Sequence, residues 1–186
     1  MWRNPIICLG VSLLVACSGP TNRLDMSPVV STLELRSLVS SAMVRTVSLP
    51  TYAAAEEIAR EIAPGVISSD ADILWADDPE RAVTLAITRH MDDILNATIG
   101  PDPWPFVGLP DVSIDIRVER MLAGADGVFR LMGQYFLGGD GIDFPNRSES
   151  FAFAIPLTGE GTSAVAEAQA RAILALSEDI ARRIAR

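Results

Sequence analysis

Apolar and polar positions along the chain change period several times, and each change marks a different kind of element. Residues 33–38 and 43–49 are short runs with partial alternation, the second stopped by Pro50, and both read as strands. Residues 53–63 are rich in Ala and Glu and end at Pro64-Gly65, which predicts a helix. Residues 65–69 and 72–75 flank a polar turn and read as a hairpin. Asp77-Asp78-Pro79-Glu80 then opens a long helix, with a capping aspartate, proline in the first turn and acid at the positive dipole end. Val83, Ile87, Met91 and Ile94 form its apolar stripe.

Three strands follow. Residues 112–118 alternate strictly, 128–137 come after the Gly124-Ala125-Asp126-Gly127 turn, and 149–157 complete the set. The chain closes on a helix over about 163–184, with Val165, Ala172, Leu176, Ile180 and Ile184 on one face. The order ββα-ββα-βββα predicts a single-domain α/β sandwich, a mixed sheet covered by about three helices. At 49% hydrophobic residues, the chain has enough apolar surface for one sizeable core.

The first residues follow a different logic. Met1-Trp2-Arg3-Asn4-Pro5 carries one positive charge, and the apolar run 6–16 has 11 residues. A membrane span needs about 20, so residues 1–16 read as a removed secretory signal. Leu14-Val15-Ala16-Cys17 matches a lipobox. Cleavage is expected between Ala16 and Cys17, and the Cys17 thiol is the acceptor for the lipid, with acyl chains such as palmitate. Residues 17–30 are expected to be the lipidated N-terminus and tether, and 31–186 the folded domain. The other cysteine, Cys8, lies in the removed segment, so the mature domain has no free thiol.

Charge sharpens the membrane reading. The formal net charge is -9, all basic residues are arginine, and loss of Arg3 with the signal takes it to -10. A domain this acidic is repelled by anionic headgroups and by nucleic acid. Attachment must therefore be covalent, since each buried methylene contributes about 0.8 kcal/mol and two or three chains hold almost permanently. Ser18, rather than Asp, follows Cys17. By analogy with enteric sorting, this favours the periplasmic face of the outer membrane over retention in the inner one.

Candidate chemistry is sparse. His90 sits on the long helix next to Asp92 and Asp93, with no G-x-S-x-G nucleophile turn, and reads as a surface helix residue. Asp70-Ala71-Asp72 reads as a hairpin turn and Asp77-Asp78 as a cap, each with metal ligation as the alternative. Gly138-Gly139-Asp140-Gly141-Ile142-Asp143 matches a single calcium nonapeptide start, but such sites need stacked copies, so it reads as a plain turn. Trp75 reads as a core anchor, with holding a ligand as the alternative. No catalytic residue, metal or cofactor beyond the lipid on Cys17 is expected. The loop 101–110 holds four prolines, which keep it out of helix and central strand, yet carries Trp104, Phe106 and Val107. Two readings stay open for it: a partner-docking loop, or a loop folded back so that its aromatics cap the sheet.

Several of these segments together resemble the ABC-type transport auxiliary lipoproteins, the PqiC-like family. The carriers are the lipobox at Cys17, the turn Ser48-Leu49-Pro50-Thr51-Tyr52, and Leu74-Trp75-Ala76-Asp77-Asp78 leading into the amphipathic helix. The strand pair around Ile114 to Leu137 and the Ala-rich final helix complete the order. One departure is Asn22-Arg23-Leu24, where the family usually has tyrosine beside the leucine. The resemblance implies a non-enzymatic role in machines that move lipids between the inner and outer membranes and support envelope integrity. Permease and mammalian-cell-entry (MCE) type components are the implied partners, with self-association to match a ring-shaped conduit. Read from the residues alone, a lipoprotein that binds a small apolar ligand or acts as a structural adaptor stays open beside it. Replacing the sulfur through Cys17→Ser is expected to release the protein from envelopes after an alkaline wash, as read by cell fractionation.

Overall fold

The computed structural model describes residues 22–139 and 144–185. The elements are β1 (Asn22–Leu24), β2 (Ser41–Val44), α1 (Thr51–Ala54), β3 (Glu57–Ala63), β4 (Val66–Trp75), α2 (Pro79–Ile94), β5 (Thr98–Pro101), β6 (Val112–Ala123), β7 (Val128–Gly139), β8 (Arg147–Pro156) and α3 (Gly161–Ile184). Among the described residues they make one mixed eight-stranded sheet with helices packed on one face. The expected α/β sandwich is what the chain forms, with one more strand before the last helix than the pattern predicted.

Strand β6 organises the sheet. Its Val112, Ile114, Ile116 and Val118 alternate into the core, and β7 answers with Phe129, Leu131, Tyr135 and Leu137. The two pair antiparallel along their whole length, from Val112 opposite Gly139 to Ala123 opposite Phe129. The turn between them closes on Gly127 (φ 74°), whose N–H donates to the Gly124 carbonyl at 3.1 Å. Strand β8 adds to the far side of β7. On its other edge β6 is shared. Its first half pairs parallel with β2, and Ala123 at its end pairs with Arg60 of β3. Beyond β2 lies β5, and beyond β3 lie β4 and then β1. Where β6 bulges between Val118 and Arg120, Gly133 of β7 comes close against it. A Cβ on Gly133 would stand 2.2 Å from the Arg117 carbonyl oxygen, so only glycine fits.

Both long helices are as the periodicity predicts. Asp78 caps α2 by accepting the Arg81 N–H at 2.8 Å, Pro79 is its first residue, and Val83, Ile87, Met91 and Ile94 are buried. α3 buries Val165, Ala172, Leu176, Ile180 and Ile184, and its run of buried alanines lets α2 pack close beside it. The Ser48-Leu49-Pro50 segment is held against α2. The Val47 N–H donates to Thr84 Oγ1 at 2.9 Å and the Leu49 N–H to Glu80 Oε1 at 3.1 Å.

Several readings are corrected. The helix expected over 53–63 is only the four-residue α1, followed by strand β3. Helix-favouring Ala and Glu are overridden there by pairing with β4 and β6. Pro64-Gly65 is accordingly a hairpin turn, with Gly65 at φ 74° and its N–H donated to Glu61 Oε1 at 2.9 Å. The hairpin expected at 65–75 is one strand with an irregularity, since Leu74 lies opposite Glu57 but Asp70 lies opposite the next residue, Ile58. Residues 33–38 make isolated bridges at Leu35 and Ser37 rather than a strand, and of 43–49 only Met43 and Val44 lie in β2. Finally, Asn22–Leu24, within the stretch expected to be tether, forms β1 along β4.

His90 is not on the surface. It is 3% exposed, between α2 and α3, where Nε2 donates to the Val29 carbonyl at 3.1 Å and Nδ1 faces the Ser177 hydroxyl at 3.3 Å. Its spacing of three from Ile87 and four from Ile94 places it on the apolar stripe, a signal present in the sequence. Burial lowers its pKa below 6.5, partly opposed by the Val29 hydrogen bond and by Asp93 and Glu178, while Arg89 adds to the lowering. The unfolded state then binds the proton more readily, so the neutral ring's contribution is present above 6.5 and is lost as pH falls below it. Chemical denaturation from about pH 7 to about pH 5 should show falling stability, and His90→Gln should flatten that slope.

Candidate docking surface

The loop between β5 and β6 is built by a topological necessity. β5 and β6 are both parallel neighbours of β2, one on each side, so the chain leaving Pro101 must cross β2 to begin β6. Both ends of the crossing are pinned. The Asp102 N–H donates to the Val44 carbonyl at 2.9 Å. At the other end the Asp111 carboxylate accepts the Ser40 and Ser41 N–H groups at 2.8 and 3.1 Å, while Ser41 Oγ accepts the Asp111 N–H at 3.0 Å.

Gly100 decides how the loop sits. Ile99 points into the helix layer and is buried, so the next residue turns to the opposite face of the sheet. A Cβ on Gly100 would lie 2.9 Å from the Trp104 ring and 3.1 Å from the Phe106 ring, which therefore rest on bare backbone. The two rings meet edge to face, with centroids 4.9 Å apart at 67°. Trp104 Nε1 is buried without a hydrogen-bond partner, so the indole is held by packing alone. Beyond this root the loop is open: Phe106 is 49%, Leu109 77% and Val107 fully exposed. Trp104 thus caps the sheet, and the residues after it project. Leu109 was not singled out from the sequence, although the four prolines that flag the loop enclose it.

A second feature lies where the N-terminal segment passes α2. Leu24, Met26 and Pro28 face Trp75, Leu85 and Ala86 across a groove of about 260 Å³, with Arg89 and Gln169 at its margin. Trp75, 9% exposed, is the core anchor expected of it and one wall of this groove. Ala16 and Cys17 lie outside the described residues, as do Asp140 to Asp143 of the glycine-rich turn. Among the described residues no three His, Cys, Asp or Glu side chains gather as metal ligands, and no helix is long and apolar enough to cross a membrane. The surface offers apolar contact on a braced loop.

A family model described as the ABC-type transport auxiliary lipoprotein component matches residues 26–181, nearly all of the described sandwich. The chain belongs to the ABC-type transport auxiliary lipoprotein family. Two crystal structures share the fold. One, of an uncharacterized protein, aligns with TM-score 0.70 at 15% identity over 90% of this chain and 100% of its own. The other, a DUF330 protein of Xanthomonas campestris, aligns with TM-score 0.70 at 17% identity over 85% of this chain and 92% of its own. No curated protein sequence matches this chain. The family match begins at Met26, so it takes in Met26 and Pro28 of the groove and the whole Trp104 loop.

Substitutions should separate root from tip in this auxiliary lipoprotein. Gly100→Val, which displaces two rings, should cost about 1–3 kcal/mol in chemical denaturation. Val107→Ser with Leu109→Ser should change stability by less than about 0.5 kcal/mol.

Proposed function

We propose that this protein is a lipid-anchored periplasmic component of an ABC- or MCE-type intermembrane lipid transporter, acting by docking and not by catalysis. In this reading the chain is cleaved before Cys17 and acylated there. Ser18 directs it to the outer membrane, with the domain held at the periplasmic face to support envelope integrity. The observation that carries the reading is the loop after Trp104. Val107 and Leu109 stand in water beside the half-exposed Phe106, on a segment pinned at both ends. Exposed apolar side chains on a braced loop suit a protein partner, because little ordering entropy remains to be lost on binding. A permease or MCE-type subunit is the partner that the family's transport role suggests, and a homo-oligomer would present several such loops in a ring.

The groove beside Trp75 supports a second reading, a lipoprotein that itself binds a small apolar ligand. It is close to the lower end of the size of small-molecule sites, about 300 Å³.

A photo-crosslinking amino acid at Val107 in living cells tests the first reading. Capture of a permease or MCE-type protein, lost when Phe106→Ser is added, is the expected result. Absence of any protein adduct, with native lipid bound in the groove by mass spectrometry, would favour the second.

A further inference from the structure

The β3–β4 hairpin carries an apolar tip that neither the core nor the docking loop uses. Ile62, Val66 and Ile67 are 63%, 49% and 41% exposed around the Pro64-Gly65 turn. From residue 62 through 69 the chain carries no charge, in a protein whose net charge is -9. Two of the acids beside the tip are held by arginines, Glu61 by Arg120 at 2.7 Å and Asp126 by Arg130 at 2.6 Å, and Asp70 closes the uncharged stretch. Arg60 adds a further cation one residue before Glu61, and Glu160 borders the recess that Ile62 lines. An uncharged apolar tip backed by arginines is the pattern of a segment that enters the headgroup region, where apolar side chains sink about 5–10 Å.

Geometry points the same way. β1 runs parallel to β4, with Asn22 opposite Ile73, so its N-terminal end is directed toward the hairpin tip. Leu74 and Asp70 flank the irregularity opposite Glu57 and Ile58, which places Asn22 roughly 18 Å from the tip along the strands. Cys17 precedes Asn22 by five residues, a reach of about 17 Å when extended. The acylated residue can therefore lie level with the tip. The Phe106 loop is at the other end of β6, roughly 25 Å from Asn22 in the opposite direction, outside that reach.

We infer that the β3–β4 hairpin tip, through Ile62, Val66 and Ile67, is a membrane-contact element that inserts into the phospholipid surface holding the anchor and points the docking loop away from it. This rests on the acylation of Cys17 proposed above. Its occupant is a lipid surface and not a second protein, because the tether delivers this end of the molecule to the bilayer.

The test uses mature acylated protein in vesicles of phosphatidylethanolamine and phosphatidylglycerol. The mature chain has no thiol other than the acylated one, so Val66→Cys takes a single environment-sensitive fluorophore, with Ile62→Cys as a second probe site and Leu109→Cys as the far-end control. Flotation with the vesicles, plus a blue shift and several-fold stronger quenching by shallow acyl-chain nitroxides at positions 66 and 62 than at 109, is expected. Flotation with equal quenching at all three positions would overturn the hairpin contact and leave the anchor standing. Failure to float would overturn both. A blue shift at position 66 that arises only when an envelope protein is added, and not with lipid alone, would assign the tip to a protein partner and overturn the inference.

Discussion

Everything in this structure depends on β6 being too long for one neighbour on its inner edge. It pairs with β7 from end to end on one side, apart from the bulge at Glu119, while on the other its start belongs to β2 and its end to β3. The burial of Val112, Ile114, Ile116 and Val118 under the helix layer holds this strand in register, because a slip of one residue would turn that face to water. From the divided edge come two separate strand groups at the two ends of β6. One, β2 with β5, forces the crossing loop that carries Trp104. The other, β3 with β4 and β1, supplies the hairpin tip and takes in strand β1 at its edge.

The consequence is a molecule with two apolar ends set roughly 43 Å apart along the strands, with β6 spanning most of that distance. Helices α2 and α3 pack on β2, β5, β7 and β8 and so brace the sheet on either side of β6. In the proposed orientation one end meets lipid and the other is offered to the transporter. A net charge of -9 disfavours adsorption to anionic headgroups, which in that orientation leaves placement to the proposed tip and anchor. Membership of the auxiliary lipoprotein family fits a part whose work is placement.

Much of this was legible in the chain because its longest elements are its most periodic. The stripe from Val83 to Ile94, the final helix and the alternation from Val112 to Val118 each repeat often enough to outweigh local propensity. β5 has four residues and ends in proline, too few for a period to show. β3 was hidden by composition: Ala and Glu favour a helix locally, and only the pairing with β4 reveals the strand. That misreading concealed the exposed hairpin tip, since Pro64-Gly65 then reads as a helix end. For the docking loop, prolines and aromatics gave its position and candidate residues. The seat at Gly100 was not legible, because the absence of a side chain has meaning only once the rings above it are placed. His90 shows the reverse: its spacing from Ile87 and Ile94 marked it as buried, but its polar ring and acidic neighbours suggested the surface.

Neutron reflectometry of the acylated protein on a supported phospholipid bilayer tests the two-ended account most directly. Standing on the hairpin, the molecule should give a protein layer reaching at least about 35 Å beyond the headgroups, the length of β6. A layer of only about 20 Å, the depth of one sheet with one helix layer, would mean that it lies flat, with neither end presented as described.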